Sequence, residues 1–260
     1  MQNGLLGAII VGSCCSLIGV FVVLRGMSYI GAGIAHGCLA GVALAFLMGW
    51  NPLLLAITFA LIMVILIETI NKKAKLNMDT AIGVLFSFAL ALAVLFIGMI
   101  KRYTPDIMSY LFGNLLGIST NELWVMGGIS IFVLLIIILF YKEILFSTFD
   151  PEMAEVYGIP AGLISLLLTV LMGLTIVISL QAVGELLVLA LIVLPASTAY
   201  KLTTSIHKMI IISVSLGVFA SIAGLIISYY LENIPSGSII VITLGICFII
   251  SLLIRKVKPN

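Results

Sequence analysis

Long apolar runs separated by short polar connectors repeat from one end of the chain to the other. Runs able to cross a hydrocarbon core of about 30 Å occupy Leu5–Leu24, Ile30–Met48, Leu53–Ile67, Ala81–Ile100, Leu123–Tyr141, Ala161–Leu180, Val183–Tyr200, Met209–Leu231 and Ile239–Ile254. None shows the period-two alternation of a barrel strand, and a backbone in lipid must satisfy its own N–H and C=O groups, so each run predicts a helix. The expected fold class is all-α, a polytopic membrane bundle of eight or nine transmembrane helices forming a single domain over residues 1–260.

The pattern breaks most sharply at FDPEMAEVYGIP, Phe149 to Pro160. Asp150 can cap the first free amides, Pro151 suits the first helical position, and Glu152 and Glu155 favour the positive end of a helix. Gly158 can take a left-handed exit, and Pro160 forbids continuation. This predicts a helix of about two turns, roughly 10 Å long. Met153, Val156 and Tyr157 then share one face at i, i+3, i+4 spacing. Two readings stand at this point: a capped connector between membrane helices, or an element that docks onto a partner.

Composition restricts the class further. The chain is 63% hydrophobic and 8% charged, with a mean hydropathy of +1.38, more apolar surface than a water-soluble domain of this length can hide. A net charge of +2 leaves no basic face on the scale nucleic-acid binding requires. Cys14, Cys15, Cys38 and Cys247 all fall inside apolar runs, where a thiol behaves as a small hydrophobe, and no CxxC metal site or disulfide framework is expected. Met1-Gln-Asn-Gly lacks the positive leader of a cleaved signal, so the first run is expected to stay as a span. No GxxxxGK[ST] stretch occurs, so the chain has no phosphate cradle for ATP and is not expected to be the hydrolase of any uphill transport.

Assigning alternate connections to opposite sides puts ten basic residues on one face of the membrane: Arg25, Lys72, Lys73, Lys75, Lys142, Lys201, Lys208, Arg255, Lys256 and Lys258. Only Lys101 and Arg102 fall on the other. The excess of positive charge predicts a cell-membrane protein with its N-terminus outside, and with the KKAK connection, the 150–158 helix and the C-terminus cytoplasmic. A hairpin at Gln181–Gly184 is expected between the sixth and seventh runs. The stretch from Lys101 to Glu122 is half apolar and is expected either to dip back into the membrane or to lie on it.

Ionisable groups within the spans are costly, which makes each a candidate for a solute path. His36 lies on the second run among Gly33, Gly37 and Gly41, a ladder at four-residue spacing that lets another backbone approach. Its imidazole reads either as a transient transition-metal contact or as a histidine bonded to a neighbouring carbonyl. Cys38, two residues on, points to another face. Glu185 follows Gly184 at the start of the seventh run and reads as a first-turn acid favoured by the helix dipole, or as an acidic lip that attracts a cation. By depth His36 lies toward the cytoplasmic half and Glu185 toward the outer edge. Glu68 reads as an interfacial charge partner of the KKAK connection and Asp79 as the N-cap of the fourth run. Pro195 removes a donor inside the seventh run and either bends it to expose carbonyls or forms a packed kink.

Four stretches together resemble the permease subunits of bacterial zinc/manganese ATP-binding-cassette importers: LRGMSYIGAGIAHGCLAGVALAF from Leu24, DTAIGVLFS from Asp79, FDPEMAEVYGIP from Phe149 and QAVGELLVLALIVLPASTA from Gln181. IPSGSIIV near Ile234 is similar to a fifth. The resemblance implies a homodimeric permease of the type II importer kind, a pair of cytoplasmic ATP-binding subunits that bind the ATP, and an external metal-binding protein that delivers zinc or manganese. It also implies that Asp150 to Gly158 is the coupling element that meets the ATPase. His36 matches the histidine of the family's MSLIGDALSH-like motif, while the acidic residue four positions earlier is Ala32 here. Glu185 is then the residue to supply the carboxylate that the second helix lacks. The rival readings are a permease for metal chelates such as siderophores or cobalamin, a gradient-driven secondary transporter, and a membrane scaffold. A secondary transporter would place several acids at mid-membrane, and this chain has hardly any.

Overall fold

The computed structural model describes residues 1–74, 78–100, 105–113, 115–230 and 235–257. Lys75 and Asn77 of the basic connection, Lys101 and Arg102, Ile234 and Lys258 lie outside the described residues. Twelve α-helices follow in order: α1 Gln2–Leu24, α2 Ile30–Met48, α3 Pro52–Ala74, α4 Met78–Met99, α5 Pro105–Phe112, α6 Thr120–Leu139, α7 Tyr141–Phe149, α8 Pro151–Val156, α9 Ala161–Val183, α10 Glu185–Leu202, α11 Ile206–Tyr230 and α12 Ser236–Val257, with a 3-10 turn at Leu115–Gly117. No strand occurs among the described residues. Among the described residues eight helices (α1 to α4, α6, α9, α11 and α12) are long and apolar enough to span a membrane, and Leu187–Leu202 of α10 is a shorter apolar helix.

The helix ends follow from local chemistry. Asn51 Oδ1 accepts from the Leu53 amide at 2.9 Å and opens α3. Ser119 and Glu122 form a reciprocal box at the start of α6: the Ser119 amide donates to Glu122 Oε2 at 2.8 Å and the Glu122 amide to Ser119 Oγ at 3.3 Å. Asp79 falls in the first turn of α4 instead of before it. The hairpin expected at Gln181–Gly184 shrinks to one residue, because Gln181–Val183 complete α9 and α10 starts at Glu185. Gly184 sits at φ +88, a conformation a side chain would resist.

The chain forms two compact units. The first comprises residues 1–26, 109–130 and 178–260, the second 27–108 and 131–177. In the first unit α1 is pressed against α11 and α10 through small residues. A Cβ on Gly12 would stand 2.8 Å from the Gly217 carbonyl oxygen, and one on Gly19 would collide with the Ile192 carbonyl. Ser213 Oγ donates to the Ser16 carbonyl at 2.9 Å across the α1–α11 seam. The connection expected to be re-entrant or superficial packs onto the start of α1: Leu115 is buried, and Asn3 Nδ2 donates to Ile118 O at 3.4 Å.

In the second unit α2 is the central helix, with α3 and α4 packed on it. One face of α3 meets the glycine ladder of α2: Ile67 near Gly33, Met63 against Gly37, and Leu55 with Phe59 against Gly41. Leu55 O would lie 2.5 Å from a Cβ on Gly41. Ile82 of α4 meets Gly33 beside Ile67, 3.3 Å from where a Cβ would stand. The outward faces of α4 and α6 expose Phe88, Val94, Ile131, Leu135 and Ile138, surface that needs lipid.

Candidate functional site

The polar segment forms a helix terminated at both ends. Asp150 Oδ1 accepts from the Met153 amide at 2.9 Å, and Pro151 takes the first turn. At the other end Gly158 turns left-handed at φ +81. Its amide bonds Glu155 O at 3.0 Å, and the Ile159 amide bonds Ala154 O at 2.9 Å. These are the two bonds of a Schellman closure. Ala154 alone of the helix is buried, whereas Met153, Val156 and Tyr157 are 45%, 78% and 71% exposed. Glu152 and Glu155 are exposed beside them. An apolar face ringed by acids, held on a helix too short to persist alone, is the geometry of a docking knob. Behind it stands α7, whose stretch between Tyr141 and Phe149 neither the apolar runs nor the FDPE segment covered. Phe146 of α7 and Tyr157 pack with ring centroids 5.7 Å apart.

His36 is half-buried on α2, one turn beyond Gly33 and on the α4-facing side. Its ring lies against Phe86, centroids 4.3 Å apart with planes tilted by 44°. Metal ligation uses the in-plane lone pair of an imidazole, so a phenyl on the ring face steers the imidazole without occupying its donor edge. Cys38 is fully buried on another face of α2. Gly33, Gly37 and Gly41 let α3 and α4 close around this helix.

Glu185 belongs to the first unit and His36 to the second. Glu185 is the first residue of α10 and only 3% exposed, so in this form of the molecule it is no open lip. Gly184 before it touches Leu111–Gly113 closely enough that neither glycine could carry a side chain. Pro195 lies buried inside α10, which continues through it to Leu202. Three residues on, Thr198 Oγ1 donates to the Leu194 carbonyl at 2.7 Å.

Glu68 turns into the bundle, while the KKAK side chains expected to pair with it lie outside the described residues. It is 6% exposed, and its Oε1 accepts from Ser165 Oγ and Thr169 Oγ1 of α9, each at 3.3 Å. Its described partners are therefore hydroxyls inside the bundle. The signal that could have found this is Ser165-xxx-Thr169-xxx-Gly173, small and hydroxyl residues on one stripe of an apolar helix. Among the described residues no three His, Cys, Asp or Glu side chains converge to hold a metal ion. Cys14, Cys15 and Cys38 are buried and Cys247 half-buried, and none of the four is in a disulfide.

Comparison with known proteins places this architecture. A profile of the ABC 3 transport family matches residues 1–255. The manganese import system permease protein ScaB of Streptococcus gordonii is 40% identical over 99% of this chain and 95% of its own length. The manganese transport system membrane protein MntC of Halalkalibacterium halodurans is 40% identical over 95% of this chain and 85% of its own. Among solved structures, PsaBC from Streptococcus pneumoniae in complex with Fab superposes with a TM-score of 0.86 at 39% identity, covering 96% of this chain and 90% of that one. A multi-pass helical chain matched over almost its whole length by one profile and by these relatives is a member of the ABC 3 transport family.

Proposed function

We propose that this chain is the membrane-spanning permease of an ATP-binding-cassette importer for manganese, with zinc as the alternative cargo. The observation that carries the reading is α8: a helix capped at both ends whose exposed apolar face has the size and chemistry of a docking element. Manganese comes from the relatives named as manganese import permeases. The chain works as one permease domain, pairs with a second copy, and takes its energy from cytoplasmic ATP-binding subunits that hold the ATP. An external metal-binding protein delivers the ion. The excess of basic residues on one side supports a cytoplasmic C-terminus and an external N-terminus.

In this reading closure of the ATP-bound partner moves α8, and the bundle tilts between outward- and inward-open forms. Asp150, Pro151, Glu152, Glu155 and Gly158 form and present the knob. Gly33, Gly37, Gly41, Gly184 and Pro195 set the helix packing and the bends that the movement uses. His36 gives the passing ion a single imidazole, and Glu185 supplies the carboxylate missing at Ala32. Sparse ligands suit a carrier, since a cargo held by a full coordination shell would not leave.

The test is reconstitution of the permease with its ATP-binding subunits and metal-binding protein in liposomes, following metal uptake and phosphate release together. Manganese should stimulate both, and zinc should replace it if zinc is the cargo. Glu185→Gln should slow uptake at unchanged complex assembly. Uptake by the permease alone without nucleotide would refute the reading, and wild-type uptake in Glu185→Gln would remove that residue from the path.

A further inference from the structure

Within the second unit α3 has a second packed face, a quarter turn from the one that holds α2. Along it Glu68, Val64 and Ala60 run at four-residue spacing, and Ser165, Thr169 and Gly173 of α9 run past them in the opposite direction. A Cβ on Gly173 would rest 3.5 Å from Val64 and 3.8 Å from Ala60. The upper part of this seam is therefore plain van der Waals packing. Its other end is different in kind: a carboxylate at 6% exposure, two residues inside the end of an apolar span, met by two hydroxyls at 3.3 Å. Burying a carboxylate there is costly, and apolar side chains would join two helices as well. Hydrogen bonds add direction and a defined break point.

The donors are placed so that the contact can part and re-form. Thr169 has one hydroxyl proton and two acceptors within reach, Glu68 Oε1 at 3.3 Å and the Ser165 carbonyl at 3.0 Å on its own helix. If α9 moves away from Glu68, Thr169 keeps a partner and no buried donor is stranded. Ser165 and Thr169 lie in the first turns of α9, which begins at Ala161, five residues after the end of α8. On the adjoining face of α3, one residue before Glu68, Ile67 reaches Gly33 on the helix of His36.

We propose that Glu68 is a positioning residue, a hydrogen-bonded pin that passes displacement of α8 through the start of α9 into α3 and so to the helix of His36. The proposal rests on α8 being the element that meets the ATPase. Glu68 touches neither ATP nor ion; it fixes how far α3 travels when α9 is pushed.

The test uses the reconstituted complex with manganese, reading ions carried per phosphate released. Glu68→Ala should lower that ratio about tenfold, the scale of losing a hydrogen bond to a charged acceptor, while phosphate release continues and the ATP-binding subunits still co-purify. Glu68→Gln keeps an acceptor oxygen for both hydroxyls and should hold the wild-type ratio. Ser165→Ala combined with Thr169→Val removes the pin from the other side and should reproduce Glu68→Ala, and it decides the matter if the alanine variant does not fold. A wild-type ratio in either disruptive variant overturns the proposal, and so does an equal loss in Glu68→Gln. Gly158→Val, run in parallel, separates the two readings: if it uncouples while the Glu68 variants do not, the pin falls and α8 stands, and if it does not uncouple, α8 falls first.

Discussion

Replacing Gly158 by valine isolates the exit of α8 from everything else in the chain. Gly158 sits at φ +81 with no atom within 4 Å of where a Cβ would project, so the substitution meets no steric obstacle and acts on the backbone alone. Left-handed geometry costs a residue with a Cβ about 1–2 kcal/mol, and a β-branched residue is among the least suited to it. The two closing bonds, Gly158 to Glu155 and Ile159 to Ala154, exist only in that conformation. Because α8 has six residues and little stability of its own, a penalty of that size changes the population of the closed helix by a factor of about 5–30. The assay is phosphate release against metal uptake in liposomes containing the full complex. Gly158→Val should retain ATP hydrolysis and lose most uptake per ATP. Gly158→Asn, a residue that tolerates the left-handed region, should lie close to wild type. If valine and asparagine behave alike, or valine transports normally, the closure of α8 does not govern coupling.

Other consequences can be checked separately. Asp150→Ala removes the bond to the Met153 amide and should cost α8 about 1 kcal/mol, whereas Asp150→Asn should cost little; the affinity of the detergent-solubilised permease for its ATP-binding subunits reads the difference. Gly41→Val sets a side chain against Leu55 O and Phe59 and should destabilise the α2–α3 pair by about 1–3 kcal/mol, seen as a lower melting temperature in detergent. The same change at Gly83, where a Cβ meets nothing within 4 Å, should leave the melting temperature of the isolated protomer near wild type.

The long apolar runs made the spans legible, since a helix that must satisfy its backbone in lipid announces itself by length. The caps of α8 were legible for the same local reason: Asp-Pro at one end and Gly-x-Pro at the other leave few alternatives. What the chain hid was tertiary. Glu68 precedes a lysine-rich stretch, and proximity in sequence suggested a charge pair, yet its described partners lie 97 and 101 residues away on α9. The Gln181–Gly184 connection looked like a turn because Gln181 and Gly184 interrupt two apolar runs, whereas glutamine is a good helix former, α9 runs on to Val183 and Gly184 makes the whole change of direction. The α7 helix escaped notice because its nine residues, YKEILFSTF, mix polar and apolar positions at a length where neither period declares itself.

Of the side chains on α8, only the methyl group of Ala154 is buried. A part fastened so lightly to its own subunit answers mainly to what it plugs into. On the docking role proposed for α8, its outer residues are free to vary with the motor while Ala154 stays packed, and grafting another member's FDPE segment into this chain should transfer the choice of ATPase along with it.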